Sequence, residues 1–191
     1  MDEALRSLTE RVRAESADSP ALNPLLTTDD LDTLATVLTA PAQPLWARET
    51  AAFRLGLAGD PRAFESLVLL LNHRDPPRCA SAAYALARLG DPRTARAAAA
   101  LATNELRVAY ALHPVRLLVE LRAPEAVPAL ITTLRHRLRP HDPHRTVALA
   151  CVEGLGALAD RRAAPVLTEA LAHPALARAA VRALSRIPAQ R

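Results

Sequence analysis

The sequence predicts an all-α fold, a right-handed α-solenoid of about five helical hairpins preceded by one extra N-terminal helix. Three observations support this prediction: a segment recurs along the chain, the junctions between its copies carry residues that end and begin helices, and the composition favours helix. Half of the 191 residues are apolar, yet only 3% are aromatic. Alanine and leucine supply most of the apolar fraction, and both have a high intrinsic helix propensity.

The repeat becomes visible when residues 47–62 are aligned with residues 78–93, a shift of 31 positions. Both copies contain paired alanines, a leucine three positions later and a closing Gly-Asp-Pro-Arg run. The pattern continues in residues 115–130, 151–167 and, shortened, 177–188. Each copy is long enough for two helices, and a helical hairpin buries its apolar side only against a neighbour.

The junctions between copies predict how each helix ends and the next begins. A glycine is expected in the left-handed conformation that ends a helix, then an aspartate N-cap, then a proline at the first helical position. The residues in these roles are Gly59 and Gly90, Asp60, Asp91 and Asp160, and Pro61, Pro92 and Pro124. Catalysis is the alternative role for the aspartates, but capping accounts for their spacing.

The repeat register predicts the positions of the helices. The first helices of the pairs are expected near 28–39, 61–71, 92–103, 124–137 and 161–172, and the second helices near 46–58, 78–89, 107–122, 145–159 and 175–187. We divide the chain into residues 1–26, an N-terminal helix (2–15) with a proline-containing linker, and residues 27–191, the repeat solenoid. Pro114 predicts a kink or break in the third pair, and about five extra residues lengthen the loop at 135–145.

The charge is unevenly distributed. The net charge is +4 and all basic residues are arginine, but residues 1–65 carry a net charge of −5 and residues 66–191 one of +9. Such a gradient would orient the approach of a charged partner. Cys79 and Cys151 stand alone in alanine-rich segments, which predicts buried thiols in a reducing compartment. With no signal segment and no apolar run of membrane-spanning length in view, we predict a cytoplasmic protein.

The Gly-Asp-Pro-Arg turn that follows an Ala-Ala-x-x-Leu helix resembles the HEAT-like repeats named after phycobilisome lyases, over residues 45–188. That resemblance implies the fold more specifically than the function, since such proteins include scaffolds, adaptors, bilin lyases, an iron-dependent hydroxylase type and a DNA glycosylase type. The hydroxylase type requires His-Glu dipeptides, and this sequence contains none. The motif of the glycosylase type cannot be matched residue by residue, although Trp46, Tyr84 and Glu153 are of suitable chemistry. We predict no catalytic residue, no metal ligand and no cofactor.

The second helices of successive hairpins usually line the concave face of such a solenoid, which serves as an extended binding surface. The register therefore predicts a partner-binding stripe, aromatic at its N-terminal end and arginine-rich at its C-terminal end. Its residues are Trp46, Glu49, Phe53, Tyr84, Arg88, Arg116, Glu120, Glu153, Arg178, Arg182 and Arg186. The alternative for Trp46 and Phe53 is that both pack against the N-terminal helix.

The loop at 135–145 is the densest basic segment. Its arginines form a candidate anion-binding set: Arg135, Arg137, Arg139 and Arg145. His136, His141 and His144 lie among them and add charge below neutral pH. An ordinary solvated loop and, less favoured in such positive surroundings, a metal site are the alternatives.

These observations predict a non-catalytic scaffold or adaptor that holds a protein partner on its concave face. The alternative is a nucleic-acid-binding module, DNA glycosylase-like in its chemistry, which the basic residues 66–191 favour. The scarcity of aromatic residues disfavours single-strand binding, which depends on stacking.

Overall fold

The computed structural model describes residues 3–17 and 19–188, and this part of the chain contains twelve α-helices, three short 3-10 helices and no strand. Contacts divide the chain into two compact units, Met1–Thr94 and Ala95–Arg191. The helices of the first unit are α1 (Glu3–Ser16), α2 (Leu22–Thr27), α3 (Leu31–Thr39), α4 (Leu45–Leu57), α5 (Phe64–Leu71) and α6 (Pro76–Leu89). Those of the second are α7 (Thr94–Thr103), α8 (Leu112–Leu121), α9 (Ala126–Arg137), α10 (Arg145–Leu158), α11 (Ala164–Ala170) and α12 (Pro174–Leu184).

In the first unit, α3 pairs with α4 and α5 pairs with α6. The second helices α4 and α6 pack side by side, and α1 lies across both of them. Leucines fill the space between the layers and are almost completely buried, among them Leu34, Leu55, Leu67 and Leu86. Gly56 lets α4 approach its neighbours, since a methyl group there would lie 2.9 Å from Leu67 Cδ1 and 3.0 Å from Ala85 Cβ.

In the second unit, α9 pairs with α10 and α11 with α12, while α10 packs between α8 and α12. The core again consists of buried leucines, including Leu118, Leu130 and Leu155. The Thr133 hydroxyl of α9 donates a 3.0 Å hydrogen bond to the carbonyl of Ala102 in α7. Both units therefore stack hairpins in chain order, which is how an α-solenoid is built, and the predicted fold class is confirmed.

The junctions have the predicted geometry. Gly59 and Gly90 have φ values of +74° and +68°. The carboxylates of Asp60, Asp91 and Asp160 accept the backbone N–H two residues later, over 3.0, 2.9 and 2.8 Å. Each following segment opens with a tight turn or a 3-10 helix, at Pro61–Ala63 and Arg161–Ala163, before the α-helix begins. Pro61 occupies the predicted first position, whereas Pro92 and Pro124 lie two residues before α7 and α9.

Pro114 breaks its helix as predicted. Residues Glu105–Tyr110 form a 3-10 segment that contains a non-helical residue, Arg107, with φ −125°. The regular helix α8 starts only at Leu112, so that Pro114 falls in its first turn, where a missing N–H leaves no hydrogen bond unmade.

The predicted linker at 16–26 is wrong in one respect, because it contains helix α2. Leu22 and Leu25 are buried, and both Arg54 Nη atoms donate to backbone carbonyls at the end of this helix, those of Leu26 and Thr28. These contacts compensate for the short length of α2 and for Pro24 in its first turn. Among the described helices, none is both long enough and apolar enough to cross a membrane.

Candidate functional site

Helix α1 covers part of the predicted partner-binding stripe. Leu8 and Val12, one helical turn apart on α1, are both completely buried, and α1 packs on α4 and α6. The predicted open position of Glu49 is therefore wrong, since its side chain is only 1% exposed. Phe53, one turn later on α4, is also 1% exposed, so it is not an open position of the stripe either.

The carboxylate of Glu49 is the centre of a buried ion-pair network. Arg11 of α1 donates to it from both terminal nitrogens, over 2.7 and 2.5 Å, and Arg78 of α6 donates from a third direction. Arg78 also bonds Glu15 of α1 at 2.5 Å, and its Nε lies 3.3 Å from an oxygen of Asp75. Two arginines and three carboxylates thus join α1 to the two helices below it.

The aromatic end of the predicted stripe is engaged within the first unit. The Tyr84 ring stacks on Phe53, with a centroid distance of 6.0 Å and an interplanar angle of 14°. The Arg88 guanidinium carbon lies 3.2 Å from the Tyr84 ring centroid, a cation–π contact. Trp46 is half-buried. Little aromatic surface in this unit is left for stacking on a ligand.

The second unit keeps its part of the stripe open. The predicted residues there are all exposed: Arg116, Glu120, Glu153, Arg178, Arg182 and Arg186. Arg116, Glu153 and Arg186 line one shallow depression. Glu153, Arg182 and Arg186 line another. Because Glu153 and Arg186 belong to both, the depressions are neighbouring parts of one surface on α8, α10 and α12.

We call the surface formed by Arg116, Glu153, Arg182 and Arg186 the arginine face. Its floor is made of small residues, Ala150, Gly154, Ala157, Ala179 and Ala183. None of its four charged side chains forms an ion pair with another residue in the described ranges 3–17 and 19–188. Beside it, burial and the nearby charge of Arg116 lower the pKa of His113, which favours its neutral form.

The four arginines of the basic loop, which the sequence grouped as one candidate anion-binding set, differ in their exposure and in their ion pairs. Arg137 is 7% exposed and pairs with Asp142, itself 11% exposed, over 2.8 Å. Arg139 lies 3.4 Å from Glu105, which also contacts His136 at 3.0 Å. Arg135 and Arg145 are exposed. Within residues 3–17 and 19–188, no three His, Cys, Asp or Glu side chains cluster in a way that could hold a metal ion.

The junction aspartates make a second contact that sequence inspection missed. The arginine two residues after each aspartate folds back onto the carboxylate that caps its own N–H, in the pairs Asp60–Arg62, Asp91–Arg93 and Asp160–Arg162. Each arginine lowers the pKa of its aspartate, first through side-chain hydrogen bonds. The aspartates are structural N-caps, as predicted.

The two cysteines are buried, as predicted. The Cys79 thiol donates to the carbonyl of His73 at 2.9 Å. Burial raises the pKa of Cys151 to about 12, so that its reactive thiolate form is disfavoured at neutral pH.

Comparison with known families identifies one segment. Residues 147–173, which comprise most of α10, the following turn and α11, match the family model described as PBS lyase HEAT-like repeat. The match confirms, for this segment, the resemblance to HEAT-like repeats seen in the sequence. No curated protein matches the sequence.

Proposed function

We propose that this helical-repeat protein is a non-catalytic scaffold that holds a protein partner on the arginine face. The observation that carries the proposal is a set of three exposed arginines around Glu153 of α10. Arg116 lies on α8, Arg182 on α12 and Arg186 just after α12, and none has an ion-pair partner in the described residues. Arginine is enriched among residues that dominate binding energy at protein interfaces, and the small residues between these side chains leave room for a partner to approach the helices.

In the first unit, the face formed by the second helices is covered by another helix, which indicates the kind of element that can pack on such a face. Its second helices, α4 and α6, are covered by α1, an amphipathic helix that adds apolar contacts and ion pairs. By repeat register, Arg116, Glu153 and Arg182 are the equivalents of Phe53 on that covered face. A helix is therefore the element that suits the arginine face, with carboxylates opposite Arg116, Arg182 and Arg186 and a basic residue opposite Glu153.

The charge pattern favours protein over nucleic acid. Glu153 lies between the arginines, and its carboxylate would repel a phosphate backbone that followed the surface. The Phe53 and Tyr84 rings pack on each other, and Arg88 covers part of Tyr84, which removes the aromatic surface that a flipped or single-stranded base would use.

The proposal is tested by photo-crosslinking in the native host, with the crosslinker introduced at Ala157 on the floor of the arginine face. We expect one protein to be captured, through an acidic helical segment. The R182E/R186E variant should abolish this product, because two attractive charges become repulsive. The matched control is R96E/R135E, which reverses two exposed arginines on the first helices α7 and α9.

Two outcomes would contradict the proposal. One is an equal loss of crosslinking in both double variants, which would indicate non-specific charge attraction. The other is binding of arbitrary duplex DNA that weakens steeply with salt and is abolished by R182E/R186E, which would assign the face to nucleic acid.

A further inference from the structure

The first unit contains an apolar concavity of its own. It has a volume of about 170 Å³ and is formed by the end of α3, the start of α4, and α5 with the turn that follows it. We call it the leucine pocket, and its lining residues are Leu38, Leu45, Arg48, Glu49, Ser66, Leu69, Leu70 and His73. It shares no residue with the arginine face, so the two sites can be tested independently.

Leucines form both the floor and the mouth of this pocket. Leu38 and Leu70 are 7% and 8% exposed and belong to the core, whereas Leu45 and Leu69 are 39% and 73% exposed. One exposed leucine is ordinary on a protein surface, but here two of them lie at the mouth of a cavity that has a leucine floor. An apolar group that enters the pocket leaves water and also covers these two side chains, and both effects favour binding.

The volume indicates what the pocket can hold. Binding sites for small-molecule ligands begin at about 300 Å³, whereas a cavity of about 150 Å³ holds a single benzene molecule. The leucine pocket is close to the second value. It therefore accommodates one side chain of the size of leucine or phenylalanine. A side chain that fills such a pocket is a common anchor of a protein interface.

The polar groups at the pocket are hydrogen-bond donors. Arg48 forms no ion pair with a described residue, and its Nε donates to the carbonyl of Gln43 over 3.1 Å. The Nδ1 atom of His73 accepts the backbone N–H of Asp75 over 3.0 Å, so that the Nε2 atom carries the proton and can donate. Both side chains therefore suit a carboxylate on the segment that binds here.

The one carboxylate among the described lining residues is already neutralised. Glu49 is 1% exposed, and Arg11 and Arg78 donate to its oxygens. The positive charge of Arg48 at the pocket is therefore uncompensated. A carboxylate beside the bound apolar side chain would be attracted to it, and a basic residue in the same place would be repelled.

We propose that the leucine pocket binds one leucine- or phenylalanine-sized side chain of a protein partner, on a segment that carries a carboxylate next to this side chain. The apolar side chain covers Leu45 and Leu69, and Arg48 and His73 donate to the carboxylate. This surface goes beyond the scaffold function proposed above, because it can bind a partner whether or not the arginine face does.

The test uses N-acetyl-L-leucine, which combines a leucine side chain with a carboxylate, and follows the leucine methyl signals of the full chain by NMR. Saturable shifts are expected for Leu45, Leu69 and Leu70. N-acetyl-L-alanine should bind at least about tenfold more weakly, because three carbons fewer are buried. N-acetyl-L-leucine amide, which lacks the carboxylate, should bind about threefold more weakly.

Two variants separate the apolar from the charged contribution. L69S should weaken binding of N-acetyl-L-leucine by at least about fivefold, because it removes apolar surface at the mouth. Its matched control is L106S, since Leu106 is 93% exposed but does not line the pocket. R48Q should abolish the preference for N-acetyl-L-leucine over its amide and leave binding of the amide unchanged. Leu69 is largely exposed and Arg48 makes no ion pair, so both variants are expected to fold.

Four results would overturn the proposal. Shifts that do not saturate, or equal weakening by L69S and L106S, would indicate unspecific contact with exposed leucines. Equal affinity of the unmodified chain for N-acetyl-L-leucine and its amide would exclude the carboxylate-bearing segment. Dimerisation of the full chain in sedimentation velocity that L69S abolishes would show that a second copy occupies the pocket.

Discussion

Arg11 of α1 and Glu49 of α4 form a bidentate ion pair. Arg11 Nη1 donates to Glu49 Oε2 over 2.7 Å, and Arg11 Nη2 donates to Glu49 Oε1 over 2.5 Å. Arg78 approaches the same carboxylate from α6. One buried negative charge thus serves two arginines that lie 67 positions apart in the chain and links α1 to α4 and α6.

Replacing Glu49 by glutamine is expected to destabilise the protein by about 3 kcal/mol, because it removes the closest counter-charge of Arg11 and leaves Arg78 with only Glu15 and Asp75. Chemical denaturation at neutral pH measures this difference. E10Q, at an exposed position of α1, should change stability by less than about 0.5 kcal/mol. A loss for E49Q no larger than that for E10Q would show that the network contributes little.

The helix ends predict that two substitutions change the free energy of unfolding in opposite directions. Arg122 and Ala159 have φ values of +52° and +53° at positions that Gly59 and Gly90 occupy in other repeats. A side chain in this conformation is strained, so A159G should raise the free energy of unfolding by about 0.5–1 kcal/mol. G90A should lower it by about 1 kcal/mol through conformation alone, since an added methyl group meets nothing within 4 Å. Thermal and urea unfolding check both, and the same sign for the two variants would contradict the explanation.

Gly156 lies where α10 meets α12. A methyl group there would be 2.7 Å from both Cα and Cβ of Ala183, and backbone cannot move aside as a side chain can. G156A is therefore expected to destabilise by about 1–3 kcal/mol. At Gly154 an added methyl group meets side-chain atoms only, Val119 Cγ2 at 2.4 Å and Leu130 Cδ2 at 2.8 Å, which can shift more readily than backbone, so G154A should be tolerated better. The reverse order in denaturant unfolding would refute this explanation.

The capping aspartates predict a specific response to acid. Asp60, Asp91 and Asp160 have pKa values lowered by their arginines, so the folded chain binds protons more weakly than the unfolded chain does. Their stabilisation is present above a pH of about 4 and is lost as the pH falls below it.

The triple variant D60N/D91N/D160N tests this, because asparagine also caps helices but does not titrate. Unfolding free energies at pH 6 and pH 3 should differ less in the variant than in the unmodified protein. An unchanged difference would mean that other carboxylates dominate the acid response.

Local rules were sufficient to predict most of the helices and their junctions, because caps such as Asp60 and Asp91 act on residues two positions away. They also predicted the open face of the second unit, since Arg116, Glu153 and Arg182 recur in register. The covering of Glu49 was not predicted, because a helix 38 residues earlier can dock on either side of a hairpin and sequence spacing does not distinguish the sides. The buried pair Leu8–Val12 beside Arg11 was the available signal.

The basic loop illustrates a different limit. The sequence shows four arginines close together in this loop. The pairing of Arg137 with Asp142, however, depends on a turn in which His141 has a φ of +61°. The folded structure is therefore needed to distinguish Arg137, which forms an internal ion pair, from Arg145, which remains exposed.

The self-contained junctions have a consequence for how the chain can change its length. Capping aspartate, returning arginine and left-handed glycine all lie within Gly59–Arg62, and again within Gly90–Arg93. Duplicating residues 60–90 in the gene would therefore join Gly90 to a new Asp60-Pro61-Arg62 and recreate an intact boundary on each side. Such a protein could gain a hairpin in a single recombination event, without any compensating substitution at the seam.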